Sequence, residues 1–440
     1  MSPGDGTCGV GDGRVTTVSR RTALRAGTAV AMFAGSNWRP TPAEDATRIE
    51  LSRRQRIAGM LLGSLFGDAL GGPLEFVDDS RRDPHVLGAR NWSDETRLDA
   101  LGDRLPSGPP SLLSYRDLRP QTEPYGVWRS SAPPGTITDD SRLKIILLRS
   151  MLADGREVPA SRSSIARELI HFRPHMDQPF APEMRPLCEA GLREYRMAAR
   201  WVLGDRDPSV ARPLKRLWSG VDNCSGQMML LPLAAALPGE PEDVYRRAFE
   251  LNFVDTSTAT DITSAIIAGL SAVLRDHAGP DTDVDDLWQR LETTMRDTDP
   301  FGYAQVPFVG RPLHHWMDLA DRIVREADGS PQVAYRMLET DGGPRYFWDA
   351  HFTFLVPWTL LKLARFDAAL AWHLTLDFGH DTDSYLQLLG GWLGAVYGPA
   401  AVGDAGEAII RQSLAADYGE DIDVWVRRLD RLSQQNTDHH

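Results

Sequence analysis

Apolar residues recur at helical spacing through almost the whole chain from about residue 50 onward. In the first such stretch Leu62, Phe66 and Leu70 occupy every fourth position, and Gly71-Gly72-Pro73 ends the helix. A second helix follows Thr138. Further helices are predicted at about 160–171, 184–203, 224–237, 241–252, 261–276, 284–297, 312–327, 350–366, 385–397, 404–416 and 422–434. Alternating patterns typical of strands are scarce, so the predicted fold class is all-α.

The segment from about 77 to 134 is the exception, because it is rich in proline, glycine, aspartate and arginine and shows no sustained period. A loop of this length inside a compact domain is usually functional or disordered. Since it lies between two segments with candidate site residues, we expect it to form a lid. No linker or internal repeat interrupts the rest, so residues 47–440 are expected to form one large α domain that carries this insertion.

Residues 1–46 differ from the remainder of the chain. Arg20-Arg21 stands shortly before a mildly apolar stretch at 26–34, and prolines follow. This is the layout of a twin-arginine export signal, although no clear A-x-A cleavage site follows it. The pattern predicts an exported protein. The alternative is a disordered extension on a cytoplasmic protein.

Composition narrows the possible partners. The formal net charge of −13 disfavours nucleic acid as a partner, because phosphate backbones bind positive fields. No uninterrupted apolar run reaches the roughly 18 residues that cross a bilayer, so we expect no stable membrane span. Cys8, Cys188 and Cys224 form no C-x-x-C pair, which argues against a zinc site, an iron–sulfur cluster or a disulfide framework. A single Cys188–Cys224 bridge remains open.

Acidic and small residues are concentrated in three segments next to predicted helix ends, at Gly67–Glu75, Gly135–Ser141 and Gly379–Ser384. Any one of them is also typical of an ordinary helix cap followed by an acidic first turn. A chemical role becomes more specific when the segments are considered together.

Oxygen-rich helix starts of this kind suit hard cations such as Mg²⁺, which take about six oxygen ligands from carboxylates, hydroxyls and water. The adjacent carboxylates of Asp139 and Asp140 can each face a different ion. On a regular helix Asp381 and Asp383 would point about 160° apart, so their convergence requires an irregular turn, which Gly379 permits. The two segments predict a two-ion site.

In this order the three segments resemble the ADP-ribosylglycohydrolase family, which includes the enzyme that reactivates dinitrogenase reductase. That family carries G-D-A-x-G-x-x-x-E, then T-D-D-[TS], then D-T-D-[TS] before a glycine-rich helix. The resemblance covers roughly residues 53–400. It implies an all-α orthogonal multi-helix bundle whose central cleft holds two Mg²⁺ ions, with Mn²⁺ as a possible substitute.

The resemblance also implies roles for individual residues. Metal ligands would be Thr138, Asp139, Asp140, Asp381, Asp383 and Ser384. Glu75 would be catalytic, beside the scissile ribosyl bond, and Asp68 would support the ligands or the fold.

Some positions depart from the family pattern. Gly379-His380 replaces a common Gly-Gly, and the segment 224–232 keeps the Met and Pro of N-G-x-x-M-R-x-x-P but lacks its Asn and Arg. These loops would face the substrate, so the candidate substrate contacts are Ser225, Gly226, Met228, Gly379 and His380. His380 could instead be a proton donor to the leaving group or only a turn residue, and the last is the more frequent outcome for a single histidine. The departures leave the identity of the substrate open.

The activity that the resemblance implies is Mg²⁺-dependent hydrolysis of a ribosyl C1 glycosidic bond with release of ADP-ribose. The partner would be an ADP-ribosylated protein or a small ADP-ribosyl compound. One alternative is a hydrolase of the same fold that acts on a small ADP-ribosyl ester or another N-glycoside. A second is a non-catalytic binding or structural member, against which the complete set of ligand residues argues.

Overall fold

A computed structural model describes residues 51–77, 86–115, 132–152, 160–173, 192–213, 216, 221–275, 283–303 and 310–437. Within them lie sixteen α-helices: α1 (Arg53–Gly71), α2 (Asp139–Met151), α3 (Arg162–His171), α4 (Arg193–Val202), α5 (Ser225–Leu230), α6 (Leu233–Ala236), α7 (Pro241–Leu251), α8 (Ser257–Val273), α9 (Val284–Asp297), α10 (Pro312–Ala327), α11 (Pro331–Asp341), α12 (Ala350–Leu363), α13 (Ala368–Phe378), α14 (Thr382–Tyr397), α15 (Gly403–Tyr418) and α16 (Ile422–Thr437). These residues contain no strand, so the all-α prediction is confirmed. The predicted export signal lies outside the described residues.

Several predicted boundaries need correction. The helix expected at 224–237 is divided into α5 and α6, with Pro232 as the residue before α6. The helix expected to end at 366 ends at Leu363, because Arg365 and Phe366 adopt left-handed backbone angles, with φ of 52° and 62°. Of the helix predicted at 184–203, only residues 192–203 are described, and they contain α4.

Two helices were not predicted, α11 and α13. α11 begins with a signal that could have been found, since the Ser330 side chain caps the helix and Pro331 takes its first position. α13 is buried over most of its circumference, from Ala369 to Phe378 with only His373 partly exposed. A helix enclosed on all sides has no polar face, so its sequence lacks the amphipathic period.

Glycines along α1 and α14 allow these two helices to pack in close contact. A Cβ atom built on Gly63 would lie 2.0 Å from the main-chain oxygen of Gly390, and one on Gly59 would lie 2.2 Å from that of Gly394. The contacts run in opposite directions along the two helices, so the helices are antiparallel. This packing brings the end of α1 to the start of α14, where the hydroxyl of Thr382 donates a 2.8 Å hydrogen bond to the main-chain oxygen of Gly71.

The stretch Arg53–Leu74, which contains α1, is long and apolar enough to cross a bilayer by length and composition, with a mean hydropathy of 1.3. Of the apolar window that gives this hydropathy, 94% is buried inside the protein. Its apolar side chains already contact other helices, as they do in any core helix.

The described part of the predicted insertion, residues 86–115, has irregular structure with short 3₁₀ turns, as its sequence indicated. It packs against α11 and α13. The main-chain amides of Gly88 and Arg90 both donate to the buried carboxylate of Asp377, at 3.1 Å each. Leu98 is buried, and its amide donates to the oxygen of Gly329. The lid predicted for about 77–134 stays a prediction, because 78–85 and 116–131 lie outside the described residues.

Candidate metal centre

The position of Glu75 is determined by the way α1 ends. Pro73 takes an early position in a single 3₁₀ turn, Gly72–Leu74, and Glu75 leaves that turn with φ −58° and ψ 122°. The side chain is buried, with 8% of the residue exposed. The next amide, that of Phe76, donates a 2.8 Å hydrogen bond to the main-chain oxygen of His380. This bond fixes the Glu75 loop against the residue that precedes Asp381.

The start of α2 is tied to α1 through Asp68. Thr138 is the N-cap residue, and its hydroxyl oxygen accepts from the amide of Asp140 at 3.2 Å. The same hydroxyl donates to Asp68 at 2.5 Å, and the Thr138 amide donates to both oxygens of that carboxylate at 3.0 and 3.2 Å. Asp68 is fully buried, so these bonds are shielded from water. Asp68 thus holds the helix start that presents Asp139 and Asp140.

The predicted irregular turn is present before α14. Gly379 has φ 84° and His380 has φ 63°, both in the left-handed region. Asp381 is therefore the N-cap residue, outside the helix, while Asp383 lies in the first turn. The two aspartates are thereby freed from the opposed directions that a regular helix would give them.

Three carboxylates converge as a result. One oxygen each from Glu75, Asp381 and Asp383 lie within 4.8 Å of one another, and all three residues are buried. We call these residues the carboxylate triad. Beside it, Oδ1 of Asp140 and Oδ2 of Asp381 are buried without a hydrogen-bond partner. Buried carboxylate oxygens that lack a donor are costly unless a cation binds them, so the arrangement fits a divalent ion.

Electrostatics support the same conclusion. Burial raises the pKa of Asp140, Asp381 and Asp383 well above the usual aspartate range. The second cause of the raised pKa is a neighbouring carboxylate, which is Asp68 for Asp140 and Glu75 for the other two. These groups repel one another where water cannot screen them, and a divalent cation would remove that repulsion.

Residues 50–438, nearly the whole chain, match the family model described as ADP-ribosylglycohydrolase. The chain belongs to the ADP-ribosylglycohydrolase family. No curated protein matches it significantly. Members of this family are glycohydrolases that act on ADP-ribosyl compounds, and the family is generally metal-dependent.

The remaining ligands predicted by the family resemblance lie around the triad. Asp139 is partly exposed, and its charge acts on both Asp140 and Asp381. The hydroxyl of Thr138 is already engaged with Asp68, as described. The hydroxyl of Ser384 is buried next to the Asp381 carboxylate, whose pKa it lowers against the larger effect of burial. Their ligand roles stay predictions.

Ser225, Gly226 and Met228 are buried at α5, and the polar groups of the first two are paired within the protein. The Ser225 hydroxyl lies 2.8 Å from the Tyr195 hydroxyl, and the Gly226 amide donates to Asp255 at 2.6 Å. A Cβ on Gly226 would lie 2.1 Å from the second Asp255 oxygen, so only glycine allows this contact. Direct substrate contact by these residues stays a prediction.

Cys224 connects α5 to the metal centre. Its sulfur lies 3.8 Å from the Met228 sulfur and 3.6 Å from the Ser384 hydroxyl. It is a free, buried thiol, whereas Cys188 lies outside the described residues.

The side chain of His380 is only partly exposed, because it packs against neighbouring residues. Its ring stacks on Phe347, with centroids 3.6 Å apart, and its Nε2 atom lies 2.9 Å from Glu339. That hydrogen bond is the largest cause of the lowered pKa of Glu339, and Arg90 adds to it. Arg90 also donates to the main-chain oxygen of Phe378 at 2.9 Å. His380 and Arg90 together brace the turn at Gly379.

Lys144 is the residue at this centre that the sequence pattern did not draw attention to. It is buried on α2, and its Nζ atom donates to the main-chain oxygen of Asp140 at 3.1 Å. Burial lowers its pKa, and the charges of Asp140, Asp68 and Asp383 oppose that shift. Its spacing from Asp140 is a signal that could have found it, since a long side chain on a helix points toward the N-terminus over residue i−4.

Proposed function

We propose that this chain hydrolyses the C1 glycosidic bond of an ADP-ribosylated substrate with the help of Mg²⁺ or Mn²⁺, releasing ADP-ribose. The observation that carries the proposal is the carboxylate triad, with unpartnered Asp140 and Asp381 oxygens beside it. Oxygen ligands without thiolate or paired histidine favour Mg²⁺ or Mn²⁺ over zinc. The resemblance implied two ions, and the triad is the position that the geometry supports most strongly.

Several residues would hold the ion. Asp381 and Asp383 offer carboxylate oxygens from the turn before α14, and Asp140 offers an unpartnered oxygen from α2. A divalent ion bound there supplies positive charge for ribose hydroxyls and makes a water molecule more acidic. The Thr382 and Asp68 hydrogen bonds hold α1, α2 and α14 in register around this position.

Glu75 would carry out the proton transfer. Cleavage of a ribosyl C1 bond passes through an oxocarbenium-like transition state that needs a positioned water and a stabilised leaving group. A buried carboxylate in the triad can take a proton from that water or return one to the leaving group. Phe76 packs edge-to-face against Trp348, with centroids 6.0 Å apart, so an aromatic surface borders the Glu75 loop.

A panel of defined substrates tests this proposal. ADP-ribosyl-arginine, ADP-ribosyl-serine and an ADP-ribosyl ester would be incubated with the protein, and released ADP-ribose would be measured with Mg²⁺, with Mn²⁺ and after EDTA treatment. Metal-dependent release from at least one substrate supports the proposal, and the preferred substrate identifies the scissile linkage. No release from any of them would contradict it and favour a non-catalytic member of the family.

We also propose export through Arg20-Arg21 and the apolar stretch that follows, which lie outside the described residues. Replacing both arginines with lysine should retain the protein in the cytoplasm, because the twin-arginine machinery reads the arginine pair. Fractionation of cells that express the wild-type and substituted chains tests this, and wild-type protein found only in the cytoplasm would contradict export.

A further inference from the structure

The turn before α14 holds a residue other than glycine in a left-handed conformation. His380 has φ 63°, whereas the family pattern commonly has glycine at this position. A residue with a Cβ atom is strained there, and such strain persists only where the surrounding contacts fix the conformation. The contacts of the His380 side chain therefore determine the geometry of the turn.

A stacking contact and a hydrogen bond fix this side chain. The ring of His380 stacks on Phe347, with centroids 3.6 Å apart and ring planes 10° from parallel. Its Nε2 atom lies 2.9 Å from Oε1 of Glu339, which is near the end of α11. Because an ionised carboxylate only accepts hydrogen bonds, Nε2 is the donor. Glu339 is thus the hydrogen-bond partner that holds the strained residue in place.

The same carboxylate oxygen also binds the insertion. Nη2 of Arg90 donates to Oε1 of Glu339 at 3.0 Å. Nε of Arg90 donates to the main-chain oxygens of Phe378 at 2.9 Å and Asp377 at 3.2 Å. Arg90 therefore bonds both to the carboxylate and to the residues directly before Gly379. α11, the insertion and the turn are joined at this one oxygen atom.

The turn supports both sides of the carboxylate triad. Asp381 follows His380 directly, and the main-chain oxygen of His380 accepts a 2.8 Å hydrogen bond from the amide of Phe76, the residue after Glu75. The φ and ψ angles of a residue orient the peptide groups on either side of it. If His380 left the left-handed conformation, Asp381 and the Glu75 loop would both move relative to Asp383.

We propose that Glu339 is a positioning residue for the metal centre, because through His380 it holds the turn that presents Asp381. The same support extends to the Glu75 loop, and Arg90 makes the insertion part of it. The inference rests on the metal centre of the proposed function and does not depend on which substrate is cleaved. It also explains how a histidine is accommodated where glycine is common.

A double-mutant cycle on Glu339 and His380 tests the proposal, with Mn²⁺ affinity measured by calorimetric titration. Glu339→Ala removes the acceptor, whereas His380→Gly removes the strained Cβ atom, so that the turn no longer needs a side-chain contact. We expect Glu339→Ala to weaken Mn²⁺ binding by about 10-fold in the wild-type background and by less than about 3-fold in the His380→Gly background. Glu339→Gln keeps an acceptor oxygen and should lose less affinity than Glu339→Ala.

Hydrogen exchange gives a readout that needs neither metal nor substrate. Because the Phe76 amide donates to the turn, its exchange in metal-free protein should be about 10-fold faster in Glu339→Ala than in the wild-type protein. The Glu339 side chain is 36% exposed, so we expect the variant to fold. Circular dichroism checks this, and Glu339→Met, which also lacks a carboxylate, replaces Glu339→Ala if it does not fold.

Arg336→Gln is the matched control. Arg336 also joins α11 to the insertion, since it donates to Asp94 at 2.8 and 3.0 Å, but within the described part of the chain neither residue bonds to His380. This variant removes a contact between the same two elements without touching the turn. It should change neither the exchange of the Phe76 amide nor the affinity for Mn²⁺.

The proposal is overturned if Glu339→Ala weakens Mn²⁺ binding equally in both backgrounds, since the effect would then not pass through His380. Unchanged affinity in Glu339→Ala would overturn it too, as would an equal loss in Arg336→Gln. Wild-type protein that binds no Mn²⁺ would contradict the metal centre and this inference together. The expected coupling without release of ADP-ribose from any substrate would support the positioning role and contradict only the proposed hydrolysis.

Discussion

Asp68 on α1 and Thr138 at the start of α2 are joined by three hydrogen bonds, two from the Thr138 amide and one from its hydroxyl. The bond between their side chains is 2.5 Å long and fully buried. Through this contact a residue without an assigned ligand role fixes the position of the Asp139-Asp140 pair.

Replacing Asp68 with Asn should therefore weaken both the fold and the centre. The amide keeps one acceptor oxygen but replaces the other, which also accepts from Thr138, with an NH2 group, and a buried donor left without its acceptor costs about 1–3 kcal/mol. We expect the free energy of unfolding to fall by about 2 kcal/mol and the apparent affinity for Mn²⁺ to fall as well. Chemical denaturation and calorimetric titration measure the two effects. Unchanged stability and unchanged ion affinity would show that the contact is dispensable.

The close packing of α1 against α14 leads to a prediction for Gly63. Alanine is favoured over glycine inside a helix by about 1 kcal/mol, but its Cβ would lie 2.0 Å from the Gly390 oxygen. The clash involves backbone and should dominate, so Gly63→Ala should destabilise the protein by about 3 kcal/mol. Gly108→Ala is the matched control, since a Cβ there meets nothing within 4 Å. Equal denaturation midpoints for the two variants would contradict the close packing.

Much of this organisation could be predicted because its signals are local. The cap at Thr138 and the turn at Gly379 are written in a few consecutive residues, and each lies where the sequence indicated. The contact of Arg90 with Glu339 could not be predicted, since it joins residues 249 positions apart. Arg90 lies in a segment without a periodic hydrophobic pattern, and Glu339 lies in α11, which was not predicted. The sequence therefore did not indicate that these two residues are in contact. The place of Glu75 within the triad also became evident only from the fold.

Glu75→Gln separates a proton-transfer role from a ligand role. Glutamine keeps an oxygen that can bind an ion but cannot accept or donate a proton as a carboxylate does. We expect turnover to fall by about 10²–10⁴-fold, with a change in Mn²⁺ affinity of less than about 10-fold. Steady-state rates and calorimetric titration measure these effects, with Glu95→Gln on the exposed surface as the control. Near-wild-type turnover would exclude proton transfer by Glu75, and a matching loss of ion affinity would make it mainly a ligand.

Asp255 should make stability depend on pH. Burial raises its pKa from 3.8 to about 6, against hydrogen bonds from Asn252, Thr263 and the Gly226 amide that lower it. The folded protein therefore binds this proton more tightly than the unfolded chain does. The resulting stabilisation is complete below pH 3.8 and is lost as pH rises through about 6.

The variant Asp255→Asn removes this titration. The contributions of the other titratable groups to the pH dependence cancel when the variant is compared with the wild-type protein. The wild-type free energy of unfolding, minus that of the variant, should decrease by up to about 3 kcal/mol between pH 4 and pH 7. Urea denaturation across this range measures it. A difference that stays constant or increases with pH would contradict the raised pKa.

The most direct measurement of the central assignment is release of ADP-ribose from an ADP-ribosylated substrate by metal-free protein, before and after Mg²⁺ is added. Asp383→Asn serves as the comparison, because Asp383 belongs to the triad and faces the other charged groups of the centre. We expect no release without metal, recovery of release in the wild-type protein with Mg²⁺ or Mn²⁺, and little recovery in Asp383→Asn. Full activity after exhaustive metal removal, or full activity in Asp383→Asn, would contradict metal-dependent hydrolysis at this site.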